Sequence, residues 1–150
     1  MSKKNQSGAT KPLQCGVIPI RIPKKGKPEI LLLTSRGKGR WGIPKGWPMH
    51  DRSPRETARR EAFEEAGLKG HVIKRRAIGR YRYRKSQADR LGKITVAVFV
   101  MQVDRQVRRW PEKPERKTRW FSPAEAAERI PDRQLGRLLK KAARIAMMHA

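Results

Sequence analysis

The sequence predicts a mixed β-sheet with helices packed on either side, an α/β (α+β) sandwich. The first observation behind this is the segment Lys93 to Val103 (KITVAVFVMQV). Ile94, Val96, Val98 and Val100 alternate onto one face, with Thr95, Ala97, Phe99 and Met101 on the other. A strand with apolar groups on both faces is a central strand covered on both sides. The second observation is the helix start Ser53-Pro54-Arg55-Glu56. The third is the amphipathic helix from Asp132 to about Met148.

In chain order, residues 1–12 are polar and basic with nothing to bury, and read as a disordered arm preceding a domain over 13–147. Gly16 to Ile22 and Glu29 to Thr34 read as strands of a hairpin, joined by the turn-forming Pro23-Lys24-Lys25-Gly26-Lys27-Pro28. The loop Ser35 to Arg40 (SRGKGR) follows, then Trp41 to Pro48, whose prolines exclude a helix interior. Ser53 is an N-cap, Pro54 occupies the first helical position and Glu56 closes a capping box. That helix runs to about Ala66, where Gly67 supplies a left-handed stop. His71 to Arg84 reads as a strand or long hairpin arm ahead of the central strand. Lys117 to Phe121 is a further short strand, and Ser122-Pro123-Ala124-Glu125 caps a short helix before the last one.

The chain has 150 residues, with 38 Lys plus Arg against 13 Asp plus Glu, and a net charge of +25. No apolar run approaches the ~18 residues of a membrane span, so no membrane partner is expected. The single Cys15 excludes an internal disulfide framework and a multi-cysteine zinc site. No apolar signal segment follows the basic N-terminus, and a cytoplasmic protein is expected. The charge excess by itself points to polyanions, nucleic acid, phosphorylated small molecules or an anionic membrane surface, without choosing among them; the partner expected is a polyanionic small molecule, with nucleic acid as a further partner.

The acids are more informative than the bases. Glu61, Glu64 and Glu65 stand at i, i+3 and i+4 of the predicted helix and share one face. Ala58, Ala62 and Ala66 beside them would seat the helix on the sheet. Clustered carboxylates either pair with bases such as Arg55, Arg59 or Arg60, or share a cation. An all-oxygen donor set suits a hard divalent ion, Mg²⁺ or Mn²⁺.

From Gly46 to Leu68 the chain reads GWPMHDRSPRETARREAFEEAGL. This resembles the signature of the Nudix hydrolases, with Gly46, Arg60, Glu61, Glu64, Glu65, Gly67 and Leu68 at the signature spacing and Arg52 in place of its first Glu. The resemblance implies a Nudix-type α/β/α sandwich and a Mg²⁺-dependent hydrolase of phosphoanhydride bonds, Mn²⁺ being the other ion considered. It implies that Glu61, Glu64 and Glu65 coordinate the metal, that the carbonyl at or next to Gly46 completes the shell, and that Arg60 orients a carboxylate. One of those glutamates, or a loop acid among Asp89, Glu112 and Glu115, would take the proton from the attacking water.

The segments LLLTSRGKGRWGIPKGWPM and ERKTRWFSPAEA are similar to the branch holding diphosphoinositol polyphosphate and diadenosine polyphosphate hydrolases. That likeness implies a polyanionic substrate bound by Ser35, Arg36, Arg40 and Lys45, with Arg116 and Lys117 as further contacts. Pro44-Lys45-Gly46 also resembles RNA pyrophosphohydrolases, so an RNA 5′ end is an alternative substrate; a nucleic-acid-binding module on a Nudix scaffold that has lost catalysis is the alternative from another class. Trp41 and Trp120 read as packing residues. The alternation Arg80 to Arg84 reads as a strand with Tyr inward and Arg outward, and no histidine is assigned a catalytic role.

Overall fold

The computed structural model of the chain describes residues 13–37, 39–84 and 92–150; the expected arm, 1–12, lies outside them. The strands are β1 (Leu13–Arg21), β2 (Glu29–Thr34), β3 (Trp41–Gly42), β4 (Lys45–Gly46), β5 (Leu68–Val72), β6 (Gly79–Arg84), β7 (Lys93–Gln106) and β8 (Thr118–Phe121). The helices are α1 (Pro54–Ala66), α2 (Pro123–Arg129) and α3 (Arg133–Met148). All eight strands join one mixed sheet, with β7 running parallel to β1 and antiparallel to β5 and β6.

The alternation in β7 sorts its side chains as expected. Val96, Val98 and Val100 join Ile18, Ile20, Ile30 and Leu32 under α2 and α3. Ala97, Phe99 and Met101 join Val17, Leu31, Leu33 and the alanines Ala58, Ala62 and Ala66 of α1. The sheet is therefore covered on both faces, an α/β/α sandwich. Each fully buried aliphatic side chain in these layers contributes about 1.5–3 kcal/mol.

β1 starts at Leu13 rather than Gly16, because parallel pairing to β7 extends the ladder back to Leu13 opposite Thr95. The expected arm from His71 to Arg84 is instead two strands along one edge of β7. Ile73 N–H donates to Val100 O and Ile78 N–H donates to Val98 O, so residues 74–77 are looped out between successive rungs.

One departure from regular pairing builds the site. β1 and β2 pair beside their turn, Ile20 opposite Ile30 and Arg21 opposite Glu29. Farther on they part, and the segment 41–46 fills the fork. β3 adds to β2, with Thr34 opposite Trp41, and β4 adds to β1, with Cys15 opposite Gly46. Val17 N–H also donates to Pro44 O at 3.0 Å, so the prolines of this segment sit between strand pairs rather than within a helix.

Candidate functional site

The helix carrying the acids is fixed at both ends. Ser53 Oγ accepts the Glu56 N–H at 3.1 Å, which satisfies one of the orphan donors of the first turn. At the other end Gly67 adopts φ 69°, and its N–H donates to Phe63 O at 2.8 Å. The indole of Trp110 packs where a Gly67 side chain would stand, and its Nε1–H donates to Glu65 O at 3.1 Å.

This placement separates the three expected glutamates. Glu61 and Glu65 face the fork, close enough to share a hydrogen bond. Glu64 turns away to Arg60, whose Nε donates to Glu64 Oε2 at 3.2 Å. Among the described residues no three His, Cys, Asp or Glu side chains converge on one point as placed. The expected trio is thus a close pair, buried Glu65 and half-buried Glu61, plus an outlying third. The Arg60–Glu64 pair is solvent-exposed and worth only about 0–1 kcal/mol, so little holds Glu64 away from a cation. Arg52, in place of the signature's first Glu, pairs with Glu56 at 3.6 Å on the helix rim.

The pair at the fork is electrostatically strained. Burial, then the neighbouring charge of Glu65, pushes the Glu61 carboxyl up to about 8. Burial also raises Glu65, which is 6% exposed, although Arg116 and Lys45 oppose that rise. Glu65 accepts the Lys45 N–H at 3.3 Å and has Arg116 Nη2 at 3.6 Å. Arg116 itself donates through Nε to Glu112 Oε1 at 2.8 Å and through Nη1 to Thr34 O at 3.1 Å. Glu112 is held in turn by its N–H donating to Glu64 O at 3.0 Å. A buried and a half-buried carboxylate, both with raised pKa, an adjacent main-chain segment and a third acid nearby form an all-oxygen set that fits a hard divalent cation.

Beside this pair opens a cleft of about 810 Å³. Glu65 lines one end, and Ile130, Pro131, Asp132 and Leu135 from the α2–α3 junction line the other. The fork between β1 and β2 is what allows a helix on one face of the sheet to supply an acid to a cleft walled by helices on the opposite face. Of the expected substrate contacts, Ser35, Arg36, Arg40, Lys45 and Arg116 line the cleft. Arg36 also bridges to Glu115 at 3.0 Å and Glu112 at 3.5 Å. Lys117 does not line it: its side chain is exposed, and its backbone N–H donates to Thr34 Oγ1 at 2.9 Å. Among the loop acids, Glu112 acts on both Glu61 and Glu65, Glu115 pairs with Arg36, and Asp89 lies outside the described residues.

Sequence reasoning did not find Gln14, Tyr83, Arg84, Arg129 and Asp132 as cleft residues. Tyr83 Oη donates to Gln14 Oε1 at 2.8 Å, and Lys45 Nζ lies 4.7 Å from the Tyr83 ring centroid. Their one sequence signal was the Tyr/Arg alternation of β6, where Tyr81 is buried in the core and Arg80, Arg82 and Arg84 are exposed as expected. Trp41 packs edge-on against Phe121 at 5.2 Å and also borders the cleft. Trp120 packs against the α1-side core with Arg21 over its ring.

The NUDIX domain family matches residues 12–141 of the chain. Nudix hydrolase 12, mitochondrial, of Arabidopsis thaliana is 30% identical over 132 residues, covering 77% of this chain and 64% of that protein. Nudix hydrolase 21, chloroplastic, of the same plant is 33% identical over 116 residues, covering 75% of this chain and 57% of that protein. The matched region is thus under two thirds of each of these relatives. Among solved structures, a C. elegans Ap4A hydrolase shares the fold with TM-score 0.69 at 20% identity, covering 93% of this chain and 99% of that one. The NUDIX domain of Shewanella oneidensis NrtR, solved with ADP ribose, has TM-score 0.65 at 16% identity, covering 98% and 99%. Among the described residues, no helix is long and apolar enough to cross a membrane.

Proposed function

This chain belongs to the Nudix family, and from that premise we propose that it hydrolyses a phosphoanhydride bond in a polyphosphorylated small molecule bound in the cleft. The observation that carries the reading is the Glu61–Glu65 pair, whose buried member Glu65 lines a cleft that also holds Arg36, Arg40, Lys45, Arg84, Arg116 and Arg129. Carboxylates that repel one another need a cation, and a cleft dominated by bases needs an anion. A metal–polyphosphate substrate supplies both.

A divalent cation, Mg²⁺ or Mn²⁺, would be held by Glu61, Glu65, the released Glu64 and the carbonyl at or next to Gly46, and when bound would neutralise phosphate charge and acidify a water. Glu112 would accept the proton of the attacking water, being the loop acid nearest in effect to the pair. The water oxygen joins one phosphorus, the bridging P–O bond breaks, and the leaving phosphate departs with the electron pair. Arg36, Arg40 and Lys45 would neutralise the phosphate oxygens, Arg through paired donors and Lys as a compact charge. Ser35 and Arg116 would border the same path. The single, buried Cys15 fits a reducing compartment, and we read that compartment as the cytoplasm.

The substrate classes in question are dinucleoside polyphosphates, diphosphoinositol polyphosphates and triphosphorylated RNA ends. A screen of one compound from each class with Mg²⁺ tests the proposal, comparing the wild type with Glu65→Gln. Turnover that the substitution abolishes supports it. Absence of turnover with every compound, with either Mg²⁺ or Mn²⁺, overturns it.

A further inference from the structure

The cleft uses a handful of bases and leaves most of the +25 charge elsewhere. Part of that excess is gathered in one place. The outward side of α3 carries Arg133, Arg137, Lys140, Lys141 and Arg144, all exposed, and no acid occurs from residue 133 to the end of the chain. Their spacing lays them along one side of the helix over roughly 16 Å at about 1.5 Å per residue. The opposite side, including Leu138, Leu139, Ala142 and Ala146, is buried against the sheet.

A second group of bases adjoins this stripe. Residues 74–77, looped out of the ladder between β5 and β6, contribute Lys74, Arg75 and Arg76. Lys141 Nζ donates to Ile78 O at 2.8 Å and ties the loop to α3. Between them lies a concavity of about 490 Å³ lined by these three bases, Lys141, Ala77, Ile78 and Ile145. Among the described residues none of the bases in either group forms an ion pair with a carboxylate. The concavity shares no lining residue with the catalytic cleft.

We infer that this surface, the looped-out segment together with the exposed stripe of α3, is a second binding site for the phosphate backbone of a nucleic acid. Like charges left without partners on adjacent elements repel, and a polyanion relieves that repulsion with release of its counterions. One strand presents a phosphate every ~3.4 Å along the duplex axis, so the stripe matches about five of them. A linear array beside a groove suits a linear polyanion better than a flat membrane. The apolar side of α3 is already committed to the core, so the helix has no face to insert into lipid. The site does not depend on the hydrolytic reading, because its residues are separate from the cleft.

Fluorescence anisotropy of the full chain tests this, using labelled 5′-hydroxyl RNA and DNA oligonucleotides that lack any phosphoanhydride. Three variants are compared with the wild type: a loop triple (Lys74→Gln, Arg75→Gln, Arg76→Gln), a helix triple (Arg137→Gln, Lys140→Gln, Arg144→Gln) and a cleft double (Arg36→Gln, Arg40→Gln). Each triple is expected to weaken binding about ten-fold near 0.1 M salt and to lower the slope of log affinity against log salt by about 2 on a single strand. The cleft double is expected to keep wild-type binding. Circular dichroism melts verify that the variants are folded, and Lys140→Arg with Arg144→Lys is expected to preserve affinity. No binding by the wild type overturns the proposal, as does binding lost in the cleft double and retained in both triples. Capture by phosphatidylserine vesicles without oligonucleotide binding overturns it as well.

Discussion

The carboxylate of Glu61 lies over the Cα of Gly46, in the space where a side chain on that residue would begin. Gly46→Ala therefore displaces a carboxylate held by α1 rather than straining its own backbone. Misplacing a reacting group by about 1 Å costs on the order of 100-fold in rate. Steady-state kinetics on the substrate found in the screen should show kcat reduced by about that factor with KM little changed.

The proton on Glu61 gives the metal-free protein a characteristic pH dependence. The folded carboxyl titrates at about 8 and the unfolded one near its ordinary 4.5. Its contribution to stability is fully present below about 4.5 and is lost as pH rises through about 8. With chelator present, Tm should fall between about pH 5 and pH 9 more steeply for the wild type than for Glu61→Gln. Adding a divalent cation near pH 9 should raise the Tm of the wild type and leave that of the variant nearly unchanged.

Arg116, 11% exposed at its side chain, joins Glu65, Glu112 and the Thr34 carbonyl. Removing one partner of a buried charge network leaves the others uncompensated, at a cost of about 3–5 kcal/mol. Urea unfolding of Arg116→Met should show a loss in that range at neutral pH. Arg116→Lys restores the charge without the fork of donors and should recover only part of the loss.

Gly67→Ala places a Cβ in the left-handed region, which costs about 1–2 kcal/mol, and drives it into the Trp110 ring. Because Trp110 donates to the Glu65 carbonyl, the substitution should lower both thermal stability and affinity for the divalent cation. Calorimetric unfolding and metal titration of the same sample check the two effects together.

The parts of the fold that were legible in sequence are those specified locally. Ser53, Pro54, Glu56 and Gly67 bound α1, and they predict the observed Pro54–Ala66 span because capping depends only on neighbouring residues. β7 was legible from its two-sided alternation. β3 and β4 were not, since two-residue strands exist here only because β1 and β2 part around them. The looped-out residues 74–77 were hidden for a similar reason: their displacement is set by the register of β7, not by their own composition.

The same division runs through the site. Helical periodicity placed Glu61, Glu64 and Glu65 on one face, but it could not tell which would turn to Arg60. That choice depends on where the fork lies. Arg116 and Glu112 stand far from α1 in sequence, so their closure onto Glu65 became visible only with β8 paired to β2.

The opening between β1 and β2 also bears on how such a chain diversifies. Its acids ride on a helix anchored by caps and alanines, while the far wall of the cleft comes from Ile130, Pro131 and Asp132 on a separate helical junction. Substitutions at that junction alter what is admitted without passing through the packing that positions Glu61 and Glu65. A library randomised at Ile130 and Pro131 would therefore explore substrate preference at nearly constant catalytic machinery, making the junction a natural place for directed evolution to begin.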